Sequence, residues 1–143
     1  MPFESSWMLE KRVLYLHSYG TVAGAQIEAG VNTHLRLLAE GDAPVHVIID
    51  IHKTTVTPHS LTQLRGNYQF KIHPNTGWTV LINSTNKIIV FIVSMMMQIN
   101  GVREYKTAYT VEDAVKFLNH NDKTLNLDAI QAAAYIQSRN RES

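Results

Sequence analysis

Seven histidines and one polar run near residue 50 are the parts of this sequence whose residue types could do chemistry. The run gathers Asp50, His52, Lys53, Thr55, Thr57, His59 and Ser60 within eleven positions. It follows Val45-His46-Val47-Ile48-Ile49-Asp50-Ile51, a β-branched and nearly continuous apolar stretch that suits a central strand covered on both faces. Ligands of open α/β sheets settle beyond the carboxyl ends of the strands. These seven residues are therefore the candidate recognition site, with His52 and His59 on either side of an expected loop over 53–57.

The spacing restricts what that site could do. No pair of histidines has a metal-ligand pattern such as His-Glu-x-x-His, so no metal is expected. A Ser60–His59–Asp50 hydrolase lacks the glycine-flanked nucleophile elbow, and neighbours at a helix start point in different directions. An enzyme built on Asp50, His52 and His59 is the weakest reading. The seven glycines are scattered, with neither a P-loop nor a dinucleotide fingerprint, so no cofactor is expected. His46, inside the apolar run, reads as a satisfied core or interface histidine. The chain has no cysteine, which excludes disulfides, thiolate zinc sites, cysteine nucleophiles and iron–sulfur ligation together. A formal net charge of +1 argues against a partner held by phosphate contacts, and no nucleic-acid binding is expected.

The second unusual feature is apolar. Residues 88–93 run Ile-Ile-Val-Phe-Ile-Val, and Met95-Met96-Met97 follow one residue later. About a dozen apolar residues fall short of the roughly 20 that a membrane span requires, so a helix over 87–100 is expected to pack on the sheet. Three consecutive methionines cover about 200° of helix surface and cannot all face one core. Phe91, Met95, Met96 and Met97 are thus a candidate pliable contact surface for a partner, a second copy of the chain or an apolar ligand. Residues 1–10 carry Glu4 and Glu10 and no basic start before an apolar run, so a cytoplasmic protein without a secretory signal is expected.

These groups need elements to position them. A length of 143 residues, 45% of them hydrophobic, suits one α/β domain. Trp7-Met8-Leu9 and Val13 to Tyr19 read as two strands around the turn Glu10-Lys11-Arg12. Val13, Tyr15, His17 and Tyr19 share one face, and Leu14 and Leu16 the other. Gly20 and Thr21 are expected to stop the second strand. A helix over 22–40 follows, closed by Gly41-Asp42. Beyond the central strand come a short helix from Pro58 or His59 to about Tyr68, a strand over 77–83, the helix over 87–100 and a polar edge strand over 104–110. Thr110-Val111-Glu112-Asp113 opens another helix with capping-box spacing. A last helix over 127–139 presents Ile130, Ala133, Ala134 and Ile136 as its apolar side. The order is ββαβαβαβαα around five strands, a mixed sheet with crossover helices.

Several local phrases resemble the SpoIIAA-like branch of the STAS fold. They are Val13-Leu14-Tyr15-Leu16 with Tyr19-Gly20, Pro44 to Asp50, His73-Pro74-Asn75 with Gly77-Trp78, and Thr110 to Ala114 followed by Phe117-Leu118. The resemblance implies a domain over 1–122 with a helical extension over 123–143. Antagonists of this fold carry a phosphorylated serine in an Asp-Ser-Ser-Gly-Leu-like phrase after the central strand, which falls by position on Ser60. Here Pro58 replaces the flanking aspartate and no glycine follows Ser60. The resemblance implies a non-enzymatic regulatory module that binds a signalling protein, acts as a homodimer, or carries a small apolar ligand or lipid under the helix 87–100.

Overall fold

Strand parity decides how this chain folds. The computed structural model describes residues 3–21, 24–55, 73–82, 87–99 and 101–141. In chain order the elements are β1 (Phe3–Leu9), β2 (Val13–Thr21), α1 (Gly24–Glu40), β3 (Val45–Thr55), β4 (Thr76–Ile82), α2 (Lys87–Ile99), β5 (Tyr105–Thr107), α3 (Val111–Asn121) and α4 (Ala129–Arg141). The protein is α/β with a mixed sheet of five strands in the order β1-β2-β3-β4-β5. β1 runs antiparallel to β2, and every later pairing is parallel.

Alternation along the strands splits the apolar residues into two cores. Leu14 and Leu16 of β2, Val45, Val47 and Ile49 of β3 and Leu81 of β4 form one cluster with Leu38 of α1 and Met97 of α2. Val13, Tyr15, Ile48, Val80 and Ile82 form the other with Ala114, Val115 and Leu118 of α3 and Ala132 and Ile136 of α4. The strands are added in one direction across the sheet, so crossovers of one hand place α1 and α2 on the same face. α3 and α4 cover the opposite face. Among the described residues no helix is long and apolar enough to cross a membrane.

Local chemistry sets the ends of these elements. Lys11 adopts a left-handed backbone with φ 63° in the β1–β2 turn, where the Arg12 N–H donates to the Leu9 carbonyl at 3.0 Å. At Gly41 a Cβ would lie 2.5 Å from Val45 Cγ2 and 3.0 Å from Trp7, so only glycine lets α1 end this close to β1 and β3. Thr110 caps α3 by accepting the Asp113 N–H at 3.2 Å, as the capping spacing predicted. Asp128 does the same for α4, accepting from the N–H groups of Ile130 at 2.8 Å and Gln131 at 3.0 Å.

Several expectations change. β3 does not stop at residue 51. It continues to Thr55, with Lys53, Thr54 and Thr55 paired to Tyr19, Gly20 and Thr21, so residues 53–55 are strand rather than loop. Extended pairing suits β-branched threonines, and the same pairing keeps Gly20 and Thr21 within β2. The expected helix over 58–68 lies outside the described residues. After residue 122, Leu125, Leu127, Ala132 and Ile136 sit in the same core cluster as Val13 and Tyr15. Within α4, Ile130 and Ala134 are exposed while Ala132 and Ile136 are buried. Tyr135 sets that rotation, since its ring packs edge-on against Tyr15.

Candidate functional site

Asp50 leads into the sheet and away from the expected loop site. Parity puts Tyr15 and His17 on the α4 side of β2, and register sets His17 directly beside Asp50 of β3. All three side chains are buried, Tyr15 and Asp50 completely. The Tyr15 hydroxyl donates to Asp50 Oδ2 at 2.6 Å, in the range of a strong charge-assisted hydrogen bond. The His17 ring stacks on Tyr15 with centroids 5.6 Å apart and planes 21° apart. From above, Tyr135 meets Tyr15 edge-on at 5.9 Å. The Tyr135 hydroxyl donates to Ser6 Oγ at 2.5 Å and accepts from Arg139 Nε at 3.2 Å.

The electrostatics follow from this burial. Desolvation pushes the Tyr15 phenol above its ordinary range, and its hydrogen bond to Asp50 and the charge on Asp50 push in the same direction. Tyr15 thus stays protonated and serves as a fixed donor to the carboxylate. The group has the residue types of an acid–base site. The Tyr15 hydroxyl and the Asp50 carboxylate are committed to each other in the core beneath α4.

A second polar cluster lies at the opposite end of the sheet. The buried His46 accepts the Trp78 backbone N–H at Nδ1, 2.9 Å away. That nitrogen therefore carries a lone pair, and in the neutral ring the proton sits on Nε2. Nε2 donates in turn to Asp122 Oδ2 at 2.8 Å. Arg12 Nη2 reaches the same oxygen at 2.8 Å and Thr124 Oγ1 at 3.1 Å. Hydrogen bonds from Thr124 and His46 hold the Asp122 carboxyl down at about 2, with Arg12 adding a smaller attraction. Because Asp122 caps the end of α3, this cluster ties the hairpin turn, β3 and β4 to the α3–α4 connection. Its role is a clasp. A third histidine, His34 on α1, shares a 3.2 Å hydrogen bond with Ser5 Oγ through Nδ1. Burial, and then the charge on His73, push its pKa down to about 4.

The remaining predicted residues fall as follows. His52, Lys53 and Thr55 lie on β3, but their side chains are outside the described atoms, and Thr57, His59 and Ser60 are outside the described residues altogether. Asp50 is therefore the one predicted recognition residue whose side chain is described. On α2, Phe91 is 66% exposed and Met95 43% exposed, one turn apart on the face that also carries exposed Lys87. Met97 turns the other way and packs in the core, so it is not part of an apolar surface. Its side chain packs between α2 and the sheet with Leu14, Leu16 and Leu81. The Met96 side chain is outside the described atoms.

Sequence reasoning missed Tyr15, Tyr135 and Arg139 as polar participants, because periodicity counts a tyrosine as apolar. The one available signal was that Tyr15, His17 and Asp50 alternate with core residues on neighbouring strands. Among the described residues, no group of three His, Asp or Glu side chains is placed to hold a metal ion. The chain matches no family model, and no curated protein matches it.

Proposed function

We propose that the protein is a non-enzymatic, STAS-like interaction module that docks a regulatory protein partner on α2. The observation that carries this reading is the outward pair Phe91 and Met95, set on a helix whose opposite side buries Met97. Large apolar side chains exposed one turn apart are the anchors that protein interfaces use, and methionine adapts to the contour of a partner. The polar clusters support the same reading, since Tyr15–Asp50 and His46–Asp122 are occupied in holding the fold. The mixed five-strand sheet with helices on both faces is compatible with the STAS resemblance. Ser60 keeps its place as the candidate phosphoacceptor through which such a module would be regulated.

The test compares wild type with a Phe91→Lys/Met95→Lys double variant whose circular dichroism is unchanged. Both are used as bait in quantitative affinity capture from their native source. The reading expects a defined protein to be retained by wild type and lost from the variant. Identical capture profiles refute it, as does a turnover activity of the purified chain.

A further inference from the structure

We propose that β1 is a dimerisation edge, along which a second copy of this chain pairs antiparallel about a two-fold axis at Ser5. The two edges of the sheet are built differently. β5 is three residues long, with Lys106 and Thr107 exposed, and a short charged strand is a protected edge. β1 is seven residues long, contains neither lysine nor proline, and carries Glu4 as its one charge. Every described side chain from Glu4 to Leu9 is only half-buried, although three of them are Trp7, Met8 and Leu9. On the neighbouring β2, Val13 to His17 are buried without exception.

Among the described residues, β1 is the end strand of the sheet and no other strand lies along its outer flank. Ser5 reaches towards α1, where it bonds His34, and Ser6 reaches towards α4, where it bonds Tyr135. Both faces of the strand are therefore engaged. The backbone groups aimed away from β2 are the remaining interaction surface, and a row of such groups is a template for another strand.

Symmetry and charge then choose the partner and the register. A two-fold axis perpendicular to the sheet makes the new pair antiparallel, keeps α1 and α2 of both copies on one side, and closes after two chains. Directly opposed residues must share a face, so the paired positions must sum to an even number. An axis at Glu4 would set two like charges against each other, which is destabilising. Centring on Ser6 would draw in the irregularity between Trp7 and Leu9. Ser5 remains, in the middle of the regular stretch from Phe3 to Trp7. It places Trp7 across from Phe3 of the second copy and Glu4 across from Ser6, and the result is a continuous ten-stranded sheet.

The absence of cysteine makes the test clean, because a single introduced thiol has only its own copy to react with. Directly opposed residues of antiparallel strands have Cα atoms about 4.5–5.5 Å apart, inside the range that a disulfide spans. Under mild oxidation Ser5→Cys is expected to shift to twice the chain mass on a non-reducing gel, and Ser6→Cys is not. Its two copies would sit diagonally, beyond the roughly 7 Å limit for bridging. Sedimentation velocity of the unmodified protein is expected to show a dimer, and Ser5→Lys, which sets two ammonium groups on the axis, a folded monomer. A monomeric wild type overturns the proposal. So does equal crosslinking at positions 5 and 6, or a dimer that crosslinks through Met95→Cys instead, which would assign the self-contact to α2.

Discussion

Gly77→Ala tests the His46 clasp through its tightest contact. A Cβ at position 77 would sit 2.6 Å from His46 Nδ1, 2.8 Å from His46 Cε1 and 3.1 Å from Pro44 Cβ. Atoms do not approach that closely, so the imidazole must move. It is held at both nitrogens, by the Trp78 N–H at 2.9 Å and by Asp122 at 2.8 Å, and movement loosens one bond or the other. Overpacking of this kind costs about 1–3 kcal/mol. A buried donor or acceptor left without its partner adds about 1–3 kcal/mol. Alanine also restricts the unfolded chain, which returns about 0.4–1 kcal/mol. The net expectation is a loss of about 1–5 kcal/mol, or roughly 0.5–2.5 M in urea midpoint for an m-value of about 2 kcal/mol/M. The decisive measurement is a double-mutant cycle with His46→Ala, by urea unfolding at pH 7. With the ring removed, the two contacts under 3 Å disappear and Pro44 Cβ at 3.1 Å is the tightest left, so the cost should fall below about 1 kcal/mol. An equal cost in both backgrounds would refute the close contact with the imidazole, and a stabilising Gly77→Ala would refute the whole account.

Two further predictions use the other polar groups. Unfolded His34 takes up a proton near pH 6.5, whereas the folded ring resists until about 4. Stability should therefore fall as pH drops from about 6.5 and level off below about 4, by up to about 3 kcal/mol. Urea midpoints across that window should fall less steeply for His34→Gln, and superimposable profiles would count against the buried neutral ring. Tyr15→Phe removes the hydroxyl that serves the buried Asp50 carboxylate, with an expected loss of about 1.5–3 kcal/mol. The thermal midpoint should drop by roughly 5–10 °C, and no change would show that the hydrogen bond adds nothing.

Much of the fold was legible because its signals are local. The alternation of Val13, Tyr15 and His17 with Leu14 and Leu16 predicted the two faces of β2, and the run 45–51 predicted a central strand. Thr110 and Asp113 marked the start of α3. The candidate site was less legible, since its partners are distant in sequence. His46 meets Asp122 across 76 residues, and Tyr15 meets Asp50 across 35. No window scan pairs such residues. Periodicity also misjudged α4, where the outward side of the helix carries Ile130 and Ala134 as readily as the inner side carries Ala132 and Ile136. There the rotation is set by Tyr135, whose hydroxyl is bonded to a strand at the other end of the chain.

That last bond has a bearing on biosynthesis. Ser6 and Tyr135 are 129 residues apart, and Ala132 and Ile136 complete the core around Val13 and Tyr15. At roughly 5–20 residues per second, the first strand leaves the ribosome on the order of ten seconds before the helix that covers it. The nascent chain therefore cannot close as it is made. Until α4 is released, the strands it covers have only their neighbours earlier in the chain to pack against.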